Sequence, residues 1–101
     1  MVVSEAVGRA LARHGVRAAF GLMGSGNLGV TNALRDGGAE FSAARHETAA
    51  VSMADGYARV SGELAVASVH QGPGLTNAIT GLTEAAKSRT PILLLAADVA
   101  A

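Results

Sequence analysis

The stretch at residues 45–59 reads RHETAAVSMADGYAR and marks the junction between a strand and a helix. A short apolar segment at residues 41–44 precedes it, and a helical pattern begins at Glu47. An acid at such a junction lies near the carboxyl edge of a sheet, where α/β proteins bind their ligands. The role of Glu47 is therefore the main functional question that this sequence raises.

Outward from this junction, four apolar segments alternate with helical patterns along the whole chain. We predict strands at residues 16–23, 39–44, 64–69 and 92–97, each preceded by a helix. The order α-β-α-β-α-β-α-β implies a parallel sheet with right-handed crossovers and helices on both faces. The predicted fold class is therefore α/β, a three-layer parallel sheet, with one domain over residues 1–101.

Small and polar residues mark the predicted ends of these elements. Ser4 and Asn27 are expected to cap helices, and Gly15 is expected to end the first helix in a left-handed conformation. Residues 71–74, QGPG, are predicted to form a loop that no regular element crosses. The first helix should bury an apolar face made of Val3, Ala6, Val7, Ala10 and Leu11.

The last predicted strand is a continuous apolar run, so we expect it to be buried on both faces. No helix follows it in the sequence. Because parallel sheets need cover on both faces, we expect a truncated domain rather than one that a partner completes.

Composition excludes several classes of function. Eight basic and eight acidic residues give a formal net charge of zero, so no nucleic-acid or membrane partner is predicted. The absence of cysteine excludes disulfides and thiolate chemistry and fits a reducing compartment. No signal peptide is recognisable, and no apolar run is long enough to span a bilayer. We therefore predict a cytoplasmic protein.

Residues 24–29, GSGNLG, fit the dinucleotide-binding pattern G-x-G-x-x-G after a predicted strand. An NAD-binding Rossmann-like domain would use Gly24, Gly26 and Gly29 for the pyrophosphate and Glu47 for the ribose. Two features disfavour this alternative. A full helix precedes the first strand, and residues 22–23, LM, separate the apolar segment from the first glycine.

A second interpretation begins from the run H-E-x-A-A-x-x-M-A-D-G-Y-A-R at residues 46–59, followed by Gly62. This run resembles the pyrimidine-binding domain of thiamine-diphosphate enzymes, above all the acetolactate synthase and benzoylformate decarboxylase group. Residues 72–77, GPGLTN, are similar to that family's G-P-G-x-x-N turn, and residues 90–94, TPILL, continue the likeness into the fourth strand. The resemblance covers essentially the whole chain.

The resemblance implies a catalytic role for Glu47. In this family a glutamate hydrogen-bonds the pyrimidine nitrogen N1′ and favours the imino form of the 4′-amino group, which removes the C2 proton and forms the ylide. Gly72 and Pro73 would back the pyrimidine ring, and Asn77 would belong to the same cofactor-facing corner. The alternative for Glu47 is an acid that complements a helix dipole, and for Gly72 and Pro73 a plain turn.

Ser25 and His70 both follow predicted strands, so both are expected to face one crevice. In decarboxylase-like members of the family, a serine and a histidine at these places contact the substrate. The resemblance therefore implies substrate binding by Ser25 and His70, and His70 is also a candidate for proton transfer. Residues 20–24, FGLMG, depart from the family's F-G-x-P-G because they lack the proline.

The implied cofactor is thiamine diphosphate. Its magnesium would be bound by a domain that is not present in this chain, because the family's G-D-G…N pattern is missing, and no metal ligand is assigned here. The resemblance leaves open whether the full-length enzyme carries FAD. It implies a homodimer or homotetramer with the active site at the subunit interface.

The implied reaction is decarboxylation of a 2-oxo acid followed by carboligation, as in acetolactate synthesis, with simple decarboxylation as the next choice. This chain alone should be inactive, because it holds half of a cofactor site. The alternative from a different class is a non-catalytic binding or assembly module that pairs with a separate catalytic subunit.

Overall fold

Four parallel strands form one sheet in the order β2-β1-β3-β4. The computed structural model describes residues 2–98. The elements are α1 Val3–Arg13, β1 Ala18–Gly21, α2 Leu28–Asp36, β2 Glu40–Ala43, α3 Glu47–Ser61, β3 Ala65–Val69, α4 Pro73–Lys87 and β4 Ile92–Ala96. The α/β class and the alternating order are confirmed, and each strand is shorter than predicted because its ends pass into loops.

The helices cover the two faces of the sheet in pairs, as predicted. α1 and α2 pack together on one face, and α3 and α4 pack together on the other. From β1 the chain turns outward to β2, and α3 then returns it across β1 to β3. The strand order therefore reverses between β1 and β3, and the crevice at their carboxyl ends is the topological switch point where open α/β sheets bind ligands.

β3 lies at the centre of the core. All five of its residues are buried and four of them are apolar, as expected for a strand covered on both faces. The cluster between β3 and the helix pair α3 and α4 is built almost wholly from Ala and Val, so these helices approach the sheet closely. Its buried members are Val51, Ala54, Ala58, Ala65, Ala67, Val69 and Ala78.

Two burial predictions were wrong. β4 is half-buried rather than buried on both faces, because within residues 2–98 it is an edge strand paired with β3 alone. The apolar face predicted for α1 is also largely exposed, with Val3 79% exposed. α1 instead contacts α2 through Gly8, its one buried residue, which lies directly against α2.

The predicted helix ends were partly right. Gly15 has a φ of 89° just after α1, as predicted. Ser4, however, lies inside α1 and makes no cap hydrogen bond, since Val2 occupies the cap position. The predicted loop at residues 71–74 was also wrong in its second half, because α4 begins at Pro73. Proline is favoured at the first helical position, where a backbone N–H would have no partner.

The contact of Gly8 with α2 gives a stability prediction. A Cβ at Gly8 would lie 2.4 Å from the Ala33 Cβ and 2.8 Å from the Val30 carbonyl oxygen. Gly8→Ala should therefore destabilise the fold by about 1–2 kcal/mol, because overpacking costs about 1–3 kcal/mol and outweighs the gain in helix propensity. Urea unfolding measures the change. Gly56→Ala is the matched control, since no atom lies within 4 Å of that Cβ. It should stabilise α3 by about 0.5–1 kcal/mol, and a similar loss in both variants would contradict the packing argument.

A partly buried ion pair inside α3, between Arg59 and the largely buried Asp55, gives a second prediction. Arg59 Nε and Nη2 donate to the two carboxylate oxygens of Asp55 at 2.9 and 3.0 Å, and Nη2 also contacts Glu84 Oε2 at 3.0 Å. The hydrogen bonds from Arg59 lower the pKa of Asp55 below its usual value. The stabilisation is therefore complete above about pH 4 and is lost as the pH falls through the folded-state pKa.

Asp55→Asn should lower the free energy of unfolding at pH 7. The difference from wild type should shrink as the pH falls through the lowered folded-state pKa of Asp55. Denaturant unfolding at several pH values measures this difference. Glu84→Gln is the control and should have the smaller effect, because its exposed carboxylate is screened by water. A difference between Asp55→Asn and wild type that stays constant with pH would contradict the linkage.

Candidate functional site

The carboxyl ends of the strands bring the predicted site residues to one edge of the sheet. Ser25 lies in the loop after β1, Glu47 begins the helix after β2, and His70 and Gly72 follow β3. They form two corners. The first, here called the glutamate corner, contains Glu47 and Asn77, and the second, the histidine corner, contains His70 and the loop at residues 22–27.

Hydrogen bonds between the N-terminal parts of α3 and α4 build the glutamate corner. Glu47 is half-buried, and its Oε1 accepts a hydrogen bond from Asn77 Nδ2 at 3.3 Å. The Thr48 hydroxyl donates to the backbone carbonyl of Asn77. His46 caps α3, since its Nδ1 accepts from the Thr48 N–H at 3.1 Å. The structure thus brings Glu47 and Asn77 together, as expected. It also includes Thr48, which the sequence analysis did not single out. The position of Thr48 next to Glu47 was the one feature of the sequence that could have pointed to it.

The second carboxylate oxygen of Glu47, Oε2, accepts no hydrogen bond from any residue within 2–98. Asn77 therefore orients the carboxyl group through one oxygen and leaves the other for an incoming donor. The Asn77 amide is uncharged, so it would not repel a positively charged donor.

Gly72 and Pro73 open α4 beside this corner. Gly72 has φ 63° and ψ −113°, a conformation that residues with a Cβ rarely adopt. The space that a Cβ would fill at Gly72 is open. A groove of about 430 Å³ borders Gly72, Pro73 and Ala97 on the side of β4. The backbone at Gly72 can therefore be approached closely by a flat ligand.

The histidine corner forms at the switch point between β1 and β3. His70 Nδ1 accepts a hydrogen bond from the Gly26 N–H at 3.2 Å. A Cβ at Gly24 would lie 2.5 Å from His70 Cγ, and one at Gly26 would lie 2.8 Å from Nδ1. These two glycines therefore make room for the imidazole. Ser25 lies between them and is exposed, so the predicted substrate pair shares one corner.

Asn27 fixes the conformation of this loop. It occupies the N-cap position of α2, as predicted, but its side chain makes no cap hydrogen bond. It is only 2% exposed, and its Oδ1 accepts from the Gly24 N–H at 2.7 Å. Its Nδ2 donates to the Leu22 carbonyl and to Ser68 Oγ, both at 2.9 Å. Sequence reasoning missed this role because no local pattern relates Asn27 to Ser68, which lies on β3.

The same contacts count against the Rossmann-like alternative. The Gly26 N–H that a pyrophosphate would need already donates to His70. Gly24 and Gly26 pack on the imidazole, and a Cβ at Gly29 would lie 2.7 Å from Ser4 Oγ. All three glycines of the G-x-G-x-x-G pattern therefore serve internal packing.

The described part of the chain holds no cluster of three or more His, Cys, Asp or Glu residues that could bind a metal ion. Within residues 2–98, no helix combines the length and apolar character that crossing a membrane requires.

Known proteins are similar to this chain over nearly its whole length. Residues 1–101 match the family described as thiamine pyrophosphate enzyme, N-terminal TPP binding domain. Acetolactate synthase isozyme 3 large subunit of Escherichia coli is 45% identical over 98 residues, which are 96% of this chain and 17% of that protein. Sulfoacetaldehyde acetyltransferase of Rhodobacter capsulatus is 35% identical over 100 residues, 99% of this chain and 17% of that protein.

A solved structure has the same fold. The thiamine diphosphate-dependent 4-hydroxybenzoylformate decarboxylase of Rhodococcus jostii RHA1 superposes with a TM-score of 0.82 at 32% identity, over 95% of this chain and 18% of that one. The chain thus spans less than a fifth of the length of these relatives. Together the family match and the shared fold establish that this chain belongs to the N-terminal TPP-binding domains of the thiamine pyrophosphate enzymes.

Proposed function

We propose that this chain binds the aminopyrimidine ring of thiamine diphosphate (thiamine pyrophosphate) within an enzyme that decarboxylates a 2-oxo acid and joins the product to an acceptor. The observation that carries the proposal is the glutamate corner, where Asn77 holds one oxygen of Glu47 and the other oxygen is unbound within the described residues. Family membership supports the choice of cofactor.

The residues present fit this cofactor. A pyrimidine nitrogen can share a proton with a carboxyl group, and Glu47 offers one free oxygen at a helix N-terminus. Gly72 offers open space beside its backbone, where a flat ring can approach. When bound, the thiazolium ring of thiamine diphosphate supplies the electron sink that decarboxylation requires.

Each candidate site residue then has a separate role. Glu47 holds a proton at Oε2 or releases it to the ring nitrogen. Asn77 keeps the Glu47 carboxyl group in one orientation. The Thr48 hydroxyl of α3 holds Asn77 in place by donating to its backbone carbonyl. Gly72 and Pro73 form the backbone surface on which the ring rests. His70 and Ser25 face the substrate from the switch point.

Carboligation is favoured as the outcome because the relatives include acetolactate synthases and an acetyltransferase. Simple decarboxylation is the second candidate. It is supported by the histidine beside the serine-bearing loop and by the decarboxylase with the same fold. A non-catalytic assembly module is disfavoured, because such a module would not need an oriented carboxylate with a free oxygen.

The remainder of the site belongs to other parts of the full-length protein in this proposal. Magnesium and the diphosphate would be held by another domain, because residues 2–98 contain no candidate metal cluster. We further propose a homodimer or homotetramer with the active site at the subunit interface, and a cytoplasmic location. The absorption spectrum of the full-length protein would show whether it carries FAD.

Glu47→Gln tests the central assignment. In the full-length enzyme it should lower turnover by about 10²–10⁴-fold, the usual contribution of a positioned acid or base. It should slow exchange of the cofactor C2 proton in parallel, whereas the fold and the cofactor Kd should change little. Steady-state kinetics, C2–H exchange by NMR and calorimetric titration measure the three quantities.

Glu40→Gln is the matched control for this experiment. Glu40 is an exposed acid at the opposite end of β2, so its amide should leave turnover and exchange unchanged. Near-normal C2–H exchange in Glu47→Gln would contradict the role proposed for Glu47.

Gly72→Ala tests the contact between backbone and cofactor. The methyl group would occupy the open space beside the backbone, and the positive φ would add strain of about 1–3 kcal/mol. We expect thiamine diphosphate to bind at least about tenfold more weakly, which corresponds to about 1.4 kcal/mol. Gly62→Ala is the control, because Gly62 also has a positive φ with open space but lies at the far end of α3. It should lose stability and keep the wild-type Kd. Equal Kd values in both variants and wild type would rule out the contact.

A further inference from the structure

We infer that Asn27 and Gly26 are positioning residues that hold the His70 imidazole in its Nε2-protonated form at the switch point. The inference rests on the proposed function in one respect, because that function supplies the substrate that His70 would contact. It deepens that function because it names the group that His70 presents, a neutral N–H donor, and the residues that impose this form.

The first step is the anchoring of the loop. Asn27 is 2% exposed and uses its amide in three hydrogen bonds, to the Gly24 N–H, the Leu22 carbonyl and Ser68 Oγ. Two of these partners lie in the loop itself, and the third lies on the buried strand β3. The loop after β1 is therefore fixed to β3 by an almost fully buried side chain whose amide oxygen and nitrogen are both hydrogen-bonded inside the protein.

The anchored loop in turn positions the His70 side chain. His70 lies two residues after Ser68, the residue that anchors Asn27. The fixed loop places the Gly26 N–H at 3.2 Å from His70 Nδ1. A backbone N–H can only donate, so Nδ1 must be the unprotonated nitrogen. The hydrogen bond made by one ring nitrogen thus determines that Nε2 carries the proton.

Close packing reinforces this assignment. The imidazole rests against Gly24 and Gly26 at distances that leave no room for a Cβ on either residue. Ala97 also borders Gly26, since a Cβ on Gly26 would lie 2.8 Å from the Ala97 Cβ. This close packing against the imidazole and Ala97 disfavours a rearrangement of the loop that would turn the Gly26 N–H away from Nδ1.

The Nε2-protonated form of His70 presents an N–H donor to a ligand. Within residues 2–98, Nε2 of His70 makes no hydrogen bond, so its N–H is available to a ligand. A neutral N–H donor suits an oxygen acceptor, such as the carboxylate or keto oxygen of a 2-oxo acid. If the imidazole could adopt the other tautomer, Nε2 would present a lone pair to the same oxygen and repel it.

The experiment measures the tautomer directly in the full-length protein. With ¹⁵N-labelled histidine, and with His70→Gln to assign the signal, wild type should have one His70 form, with the proton on Nε2. Asn27→Ala should convert it to a mixture of tautomers and lower kcat/KM for a 2-oxo acid by up to about 100-fold, as misplacement of a reacting group does. Gly26→Ala should do the same by displacing the ring, and it keeps the inference testable if Asn27→Ala does not fold.

Two controls separate positioning from general damage. Gly29→Ala adds the same methyl group one turn further along, against Ser4 Oγ rather than against His70. Leu34→Val removes volume from a fully buried residue of the helix that follows Asn27. Both should leave the His70 tautomer and kcat/KM within about twofold of wild type, because neither touches the loop that contacts the imidazole.

The inference is overturned if wild-type His70 carries its proton on Nδ1, if Asn27→Ala and Gly26→Ala leave the tautomer unchanged, or if the controls shift it equally. Failure of the proposed function has a different signature. Wild-type kcat/KM in His70→Gln would remove His70 from the reaction, while the tautomer measurement would still support or overturn the positioning.

Discussion

Ser68 lies on a strand whose five residues are all buried, so its hydroxyl must find its partners inside the protein. It finds them in Asn27 and Thr31, at 2.9 and 3.1 Å. This one requirement draws the loop after β1 onto the carboxyl end of β3. The crevice at the switch point therefore has a fixed wall, and the histidine that follows β3 receives a backbone hydrogen bond from that wall.

The glutamate corner depends on a second constraint, the close approach of α3 and α4. A Cβ at Gly81 of α4 would lie 3.1 Å from both the Thr48 carbonyl oxygen and the Val51 Cβ, so the helices can meet at this distance only because the side chains are small. The meeting brings Thr48 and Asn77 into hydrogen-bond contact, and Asn77 then reaches Glu47. A core whose buried members are alanine and valine thus lets the two helices approach closely at the glutamate corner.

Much of the fold was predictable because alternation of apolar runs with helical patterns is a local property of the chain. The gathering of the candidate residues Ser25, Glu47 and His70 was also predictable, since each follows a strand and parallel strands end at one edge of the sheet. Exposure was not predictable in the same way. The apolar residues of α1 and the run of β4 look buried by their own sequence, but burial depends on which neighbours lie across from them. The glycines of residues 24–29 likewise fit a phosphate-binding pattern until their contacts with His70 and Ser4 are known.

The sequence by itself determined the α/β class, the junction that places Glu47 at a helix N-terminus, and the likeness to thiamine-diphosphate enzymes. All three depend on residues close together in the chain. Only the tertiary structure decided that Asn77 orients Glu47, that the Asn27 side chain binds Ser68 instead of a backbone N–H of α2, and that Gly26 donates to His70. These pairs are separated by 30, 41 and 44 residues. Distances of this kind are set by helix packing and by the hydrogen-bonding demands of buried groups, and neither is recorded in a local pattern.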